Sequence, residues 1–403
     1  MRSFSLFTIV LICFAVLMVD ILAFYWLRSI VQFIPYIWVK RIIYFAFWFF
    51  SIGLISAILI LKFQLENISP RRKHMLISSL YGLTVSSFIP KIIFVIVISA
   101  LYLTNYTFSE TESLLIVPIV GLLSGFLPFF MVLYAIFRAV YRFRIHRIKI
   151  KIDKLPQNFN GLRIVHISDI HLGSFNHRYQ IFDRAVRMIN QLEPDLLFFT
   201  GDMVNNFAWE LKGWKSTFIK LSARIGKFSV LGNHDYGDYS NWENSQTKMA
   251  NFEAIKNFHK DIGFTLLLNQ AEVIEDKNQS IAIIGVEYWS TLPFKQYGDL
   301  KKSLAGVEEI PFKILLSHDP SHWTAEVVGQ EQINLTLSGH THGMQAGIQL
   351  KNKEWSPIKF KYPHWAGLYK KRGQYLYVNR GLGWLGFPGR IGMRPEITLI
   401  ELD

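Results

Sequence analysis

Hydrophobic and polar positions divide the chain into three regimes. Residues 1–140 carry four long apolar stretches, near 4–27, 42–61, 79–103 and 114–137, each meeting the ~20 residues that a helix needs to cross the hydrocarbon core of a bilayer. The first is too long, and lacks the small-residue cleavage site, for a removable signal peptide. Four such stretches in succession predict four spanning helices. From Tyr141 to Pro156 the sequence YRFRIHRIKIKIDKLP alternates basic and apolar side chains. That period of two predicts a strand with one wet face rather than an amphipathic helix. Its lysines suit a sheet edge, where they discourage pairing with other chains, and the same basic face can lie against anionic headgroups.

The third regime begins at 162, where short apolar runs repeatedly end in polar clusters. LRIVHISDIHLG closes on Asp169 and His171, DLLFFTGDMVNN on Asp202, and KFSVLGNHDYGD on Asn233, His234 and Asp235. FKILLSHDP closes on His318, and INLTLSGHTHG on His340 and His342. Runs of this length bounded by turn residues predict buried strands. Between the first two, Ile181, Ala185, Met188, Ile189 and Leu192 recur at helical spacing before Pro194, so the order is strand, helix, strand, with the strands parallel. Ligands of such sheets gather beyond the carboxyl ends of the strands. All five clusters lie there. The predicted division is a transmembrane region over 1–140, a basic connecting strand over 141–161 and a soluble domain over 162–403.

Charge refines this picture. Residues 1–150 hold 14 Lys/Arg against 4 Asp/Glu, and the remainder holds 29 against 26. The basic excess therefore belongs to the membrane third, and the soluble part lacks the footprint of a nucleic-acid binder. Basic residues in the 62–74 loop and from Arg138 to Lys151 place the N-terminus, that loop and everything after 138 in the cytoplasm by the positive-inside rule. Arg28, Lys40 and Arg41 count against that orientation. The expected location is a cytoplasmic (inner) membrane, with the lipid bilayer as partner and protein partners unspecified. Asp20 and Lys91 interrupt apolar spans, where charge is expensive. Either they pair, or Lys91 beside Pro90 marks a kink near an interface. The single cysteine, Cys13, excludes a disulfide framework and a thiolate zinc site within one chain.

Asp169, His171, Asp202, Asn233, His318, His340 and His342 offer oxygen and nitrogen ligands without a thiolate. They are too many for one tetrahedral zinc and suit two divalent ions such as manganese, iron or zinc. Two ions about 3.5–4 Å apart can bind a hydroxide and clamp an in-line displacement, and phosphate esters are the natural target. Asp202, alone at its strand end, is the candidate bridge. His234 is left to face substrate, where an imidazole can protonate a leaving oxygen, and Asp235 is expected to orient that ring. In GHTH, alternate residues of an extended stretch place His340 and His342 on one side.

DIH, GDMVNN, GNHD, SHDP and GHTHG, in that order, resemble the calcineurin-like metallophosphoesterase superfamily. GHTHG followed by Gln345, with the closing YVNRGLGWLGFPGRIGMRPEITLIEL, is similar to its membrane-associated bacterial branch, which includes phosphodiesterases and relatives of UDP-diacylglucosamine pyrophosphatases. The resemblance covers about 160–403 and implies an α/β four-layer (αββα) sandwich of two packed sheets flanked by helices. It implies that Asp169, His171, Asp202 and His342 hold one metal, that Asp202, Asn233, His318 and His340 hold the other, and that His234 is the catalytic histidine. Two departures stand out. MVNNF follows the bridging Asp where protein phosphatases carry a phosphate-clamping arginine, which disfavours a phosphoprotein substrate. Met344 stands where the bacterial branch usually has a second glycine.

Two further segments bear on substrate. Residues 351–372 combine lysines with Trp355, Phe360, Tyr362 and Trp365, either as a loop packed on the sheet or as a lip for a lipid-linked or nucleotide-linked ester. GLGWLGFPGR (Gly381 to Arg390) lacks the context of a nucleotide-binding loop and is expected to approach the metals closely, with Trp384 and Phe387 facing the core or the bilayer. The function expected is that of a membrane-anchored two-metal phosphoesterase. Hydroxide held by the metals would attack a phosphodiester or pyrophosphate bond in a small or lipid-linked substrate. The alternative is a non-catalytic membrane scaffold or receptor with a metal-stabilised domain.

Overall fold

Over the four long apolar stretches the backbone is helical, because in lipid each amide must find its partner within the segment. The computed structural model describes residues 5–64, 68–108, 113–175, 179–350 and 353–403. Its first four helices are α1 (Leu6–Val31), α2 (Ile37–Gln64), α3 (Pro70–Phe108) and α4 (Ser113–Phe137), all long and apolar enough to cross a membrane. Helices α2 and α3 outrun the predicted apolar stretches at both ends, since helical hydrogen bonding continues past the last apolar residue. Glu110 and Glu112, whose acidic character between the third and fourth apolar stretches fits the expected orientation, lie outside the described residues. Asp20 and Lys91 pair, with Lys91 Nζ 2.5 Å from Asp20 Oδ1 and 3.1 Å from Ser51 Oγ. One ammonium thereby joins α1, α2 and α3, and the kink reading of Lys91 is unnecessary.

The chain forms two compact units, one of Ser3–Ala139 with Gly386–Gly389, the other of Val140–Leu385 with Arg390–Asp403. In the second unit, the alternating basic segment supplies β1 (Arg144–Ile150), and the metal-capable runs follow β2 (Arg163–Ile167), β3 (Leu196–Thr200) and β4 (Gly226–Val230). Next come β5 (Thr265–Leu266), β6 (Gln270–Asp276), β7 (Gln279–Gly285), β8 (Lys313–Leu316) and β9 (Leu335–Ser338). Five more strands complete the unit: β10 (Ile348–Leu350), β11 (Lys353–Trp355), β12 (Gly367–Lys371), β13 (Gln374–Val378) and β14 (Glu396–Leu402). Helices α5 (Tyr179–Asn190), α6 (Lys215–Phe218), α7 (Ser245–Asp261) and α8 (Leu300–Leu304) connect them.

One six-stranded sheet runs β1-β14-β2-β3-β4-β5 and the other β12-β13-β9-β8-β7-β6. Strands β2 to β5 are parallel, as are β7, β8, β9 and β13, while β14 against β2, β12 against β13 and β6 against β7 are antiparallel. Among the described residues, strand β1 pairs only with β14, so its basic residues do stand on a sheet edge.

Side chains alternate across each strand, and here both faces are apolar. Ile164, Phe198, Val230, Ile283, Ile314 and Leu337 meet in the core between the two sheets. Val165, Ile167, Leu197 and Phe199 point the other way, onto Ala185 and Ile189 of α5 and Ile255 and Phe258 of α7. On the far side of the second sheet, Ile284 and Leu315 pack on Trp323 and Val327. Three apolar layers thus separate four structural layers, giving the αββα sandwich. Its parallel strands all end on one rim.

Candidate metal centre

Each expected ligand emerges where a parallel strand stops. Asp169 and His171 follow β2, Asp202 follows β3, Asn233 follows β4, His318 follows β8, and His340 and His342 follow β9. The chain must turn within a residue or two to aim these side chains at one point. Asp169 (φ 49°), His171 (50°), Asp202 (61°), His340 (70°) and His342 (50°) accordingly adopt left-handed backbone conformations. Each such residue costs on the order of 1 kcal/mol or more, a strain that persists because the surrounding packing over-determines it. Glycines complete the turns: a Cβ on Gly232 would fall 2.2 Å from Asp202 Oδ1, and one on Gly383 would fall 1.8 Å from the carbonyl oxygen of Ile170. Gly381, likewise, lies against the Asp169 Cβ. The 381–390 segment is therefore a close-approach loop, and Trp384 packs in the core.

Asp202 sits at the centre. Its Oδ1 accepts the backbone N–H of His234 at 2.9 Å, while Oδ2 lies 3.5 Å from His171 Nε2 and 3.3 Å from His318 Nε2. One oxygen thus faces two groups of ligands. On one side, His342 Nε2 is 3.1 Å from His171 Nε2 and 3.3 Å from Asp169 Oδ1. On the other, Asn233 Oδ1 is 3.1 Å from His318 Nε2 and 3.0 Å from His340 Nδ1. Among the described residues, the potential ligand atoms of Asp169, His171 and His342, and those of Asp169, Asp202 and His318, each lie within 4.8 Å of one another.

The donor chemistry fits divalent cations. His318 donates its Nδ1 proton to the Thr200 carbonyl at 2.6 Å, leaving the Nε2 lone pair aimed inward, as a metal ligand requires. His340 bonds Tyr362 Oη through Nε2 at 2.9 Å and presents Nδ1. Carboxylates here are buried with few cations of their own. Burial opposes protonation of His318, yet Asp202 and Asp169 hold its pKa up to about 10, whereas burial pushes His171 down to about 3 despite the same Asp202. Burial works against ionised Asp202 too, and His318 and His234 still keep it well below the usual carboxylate range. A proton on His318 balances charge that bound cations would balance better.

His234 is half-buried and donates through Nδ1 to the Asn205 carbonyl at 2.7 Å, with Tyr239 against its ring at 4.7 Å between centroids. Its Nε2 remains for chemistry. The expectation that Asp235 orients this ring is corrected. The Asp235 carboxylate instead accepts the backbone N–H groups of Asp202, Met203, Val204 and Gly232, at 2.9, 2.9, 3.2 and 2.9 Å. Four turn amides that no strand partners outcompete a single imidazole for a buried carboxylate.

Residues beyond the expected ligands also shape the site. Glu210 accepts the backbone N–H groups of Asn205 (2.6 Å), Asn206 (3.2 Å) and Phe207 (3.1 Å), which fixes the carbonyl that His234 uses. Arg390, fully buried, binds the carbonyls of Arg380, Gly381 and Gly383 and lies 3.4 Å from His342 Nδ1. Asp319 Oδ2 stands 3.6 Å from His340 Nε2. Only Asp319, inside SHDP, had a local signal; Glu210 and Arg390 act through backbone carbonyls and amides that no spacing reveals.

Comparison with known proteins places these features in context. Residues 162–344 match the model of the calcineurin-like phosphoesterases, and residues 1–140 match that of the transmembrane domain of probable calcineurin-like phosphoesterases. A bovine transmembrane protein with metallophosphoesterase domain is 32% identical over 64% of this chain and 56% of its own length, and a zebrafish counterpart is covered to 60%, so the chain spans under two thirds of these relatives. The metallophosphoesterase YkuE of Bacillus subtilis is 30% identical over 63% of this chain and 83% of its own length. The UDP-2,3-diacylglucosamine pyrophosphatase LpxG of Chlamydia trachomatis is 29% identical over 64% and 88%.

Proposed function

Because this chain belongs to the calcineurin-like metallophosphoesterase family, we propose that it is a membrane-anchored, two-metal phosphoesterase that hydrolyses phosphodiester or pyrophosphate bonds. The observation that carries this is the meeting of seven oxygen and nitrogen ligands from five strand ends in two groups, one reaching Asp202 Oδ2 through His171 and the other through His318.

Asp169, His171, Asp202 and His342 would hold one cation, and Asp202, Asn233, His318 and His340 the other. When bound, the pair supplies positive charge for the phosphate oxygens and lowers the pKa of water at neutral pH. Asp202 keeps the two ligand groups in register, since one carboxylate oxygen serves both. His234, locked by the Asn205 carbonyl at Nδ1, presents Nε2 to the departing oxygen. Burial holds its pKa below that of free imidazole, which makes the imidazolium a stronger proton donor to that oxygen. With no arginine after Asp202 to grip a phosphate, the charge of the ester falls to the cations and His234.

The chlamydial relative is named for an acylated nucleotide substrate. That name, together with the four apolar helices here, favours a lipid-linked ester. The charge pattern flanking the helices favours a site on the cytoplasmic side. The intact ligand set and His234 favour an enzyme over the scaffold reading. Purified in detergent with manganese, the full chain is expected to hydrolyse bis(4-nitrophenyl) phosphate. Asp202→Asn and His234→Ala should abolish turnover at unchanged circular dichroism, and retained turnover in both would overturn the reading.

A further inference from the structure

The short hairpin that follows His342 has two unlike faces. Strands β10 and β11 pair Ile348 with Trp355, Gln349 with Glu354 and Leu350 with Lys353, and directly opposed residues share a face. The Gln349–Glu354 face turns inward: Gln349 takes a hydrogen bond from Arg144 at 2.5 Å, and Glu354 pairs with the buried Arg380. The other face carries Ile348 (55% exposed), Leu350 (69%) and Trp355 (42%), with Lys353 beside them. It continues beyond the strands, because the Lys359 ammonium lies 5.6 Å from the Trp355 ring and 5.3 Å from the ring of Phe360, itself 81% exposed.

This face is built onto the rim of the metal centre. Ser356 donates to the carbonyls of Gly343 and Ala346, at 2.9 and 2.8 Å, just past His342. Tyr362, two residues after Phe360, touches His340. A contiguous exposed apolar patch marks an interaction surface. Its composition selects the partner. Protein interfaces are depleted of lysine at their centres, whereas a tryptophan and other apolar side chains interleaved with lysines suit the headgroup boundary of a bilayer, where the ammonium groups snorkel to anionic lipid. Glu354, the acidic residue of the hairpin, is turned away. The apolar spans of the same chain keep a bilayer at high effective concentration.

We propose that the Ile348–Phe360 face is a lipid-contact surface that seats the rim of the metal centre on an anionic bilayer. Its second role, admitting a bilayer-borne ester, rests on the function proposed above; the lipid contact does not.

The test uses the full chain in nanodiscs, in a Cys13→Ser background, with Leu350→Cys carrying an environment-sensitive fluorophore. Met249→Cys, on the exposed face of α7, is the control. Lipids brominated along the acyl chain should quench the label at 350 and not that at 249, more strongly with phosphatidylglycerol present than in phosphatidylcholine alone. Equal quenching at the two positions overturns the proposal. So does a blue-shifted label at 350 that brominated lipid leaves untouched, which would reveal a protein partner instead. In a second arm, Leu350→Glu with Phe360→Glu should lower kcat/KM about tenfold or more for an acylated diphosphate in the nanodisc and leave bis(4-nitrophenyl) phosphate turnover unchanged. An equal loss on both substrates overturns the access role. Absence of turnover in the parent chain would strike the catalytic reading alone, with quenching still deciding the surface.

Discussion

Replacing Asp235 by asparagine separates two accounts of this residue. Asp235 is fully buried; its Oδ1 takes the amides of Met203 and Val204, and its Oδ2 those of Asp202 and Gly232. Asparagine keeps the shape but turns one oxygen into a donor. In either orientation two backbone N–H groups then face an NH2. At ~1–3 kcal/mol for each buried donor left unpaired, the cost is ~2–6 kcal/mol, a large part of a typical ~5–15 kcal/mol stability. For a unit of this size, that corresponds to a fall in Tm of roughly 10 °C. Either Asp202, in a left-handed conformation (φ 61°), or the Met203–Val204 segment directly after it would lose its backbone anchor, so turnover and metal content should fall together. Thermal unfolding followed by tryptophan fluorescence, with metal analysis of the same preparation, gives both readouts. If the carboxylate instead served the His234 ring, Asp235→Asn would leave Tm and metal content unchanged and displace the pH profile of kcat. That pattern would refute the amide-clamp argument.

Three more outcomes follow from particular contacts. Burial pushes Glu210 from its usual 4.5 up to about 7 against its backbone hydrogen bonds. The folded state therefore retains a proton that the unfolded state releases, and the stability this contributes is whole below about pH 4.5 and lost as pH rises through about 7. Glu210→Gln mimics the neutral form, so the stability of wild type relative to the variant should decline by up to ~3 kcal/mol between those limits; a flat difference in denaturant titrations would contradict this. Met344 holds φ at 55° with its side chain 53% exposed, so Met344→Gly should relieve strain and raise stability by ~0.5–1 kcal/mol, visible as a higher Tm. Lys91→Met should strand the buried Asp20 carboxylate at a cost of ~3 kcal/mol or more, and adding Asp20→Leu should recover most of it; thermal denaturation in detergent that ranks the double variant below the single one would contradict the pairing argument.

Much of this molecule is a local consequence of composition. Four apolar stretches become four helices, because a lipid environment leaves the backbone no other way to satisfy its amides. Apolar runs at β2, β3, β4, β8 and β9 become strands, because residues such as Leu197 and Phe198 must bury opposite faces at once. The residues that meet at the candidate centre were legible as well, since chemistry restricts metal ligation to a few side chains and the motifs place them at strand ends.

What tertiary structure alone decided is how those side chains aim. Asp235 neighbours His234 in sequence, yet its carboxylate turns to amides of a loop 31–33 residues away, while the ring finds the carbonyl of Asn205. Left-handed turns at Asp169, Asp202 and His340 are unfavourable in any isolated segment and exist because two packed sheets hold both ends of each turn. The pairing of Asp20 with Lys91, 71 positions apart, likewise depended on which faces of α1 and α3 meet. Residue type carries chemistry and period carries the element, but orientation is a property of packing between segments distant in sequence.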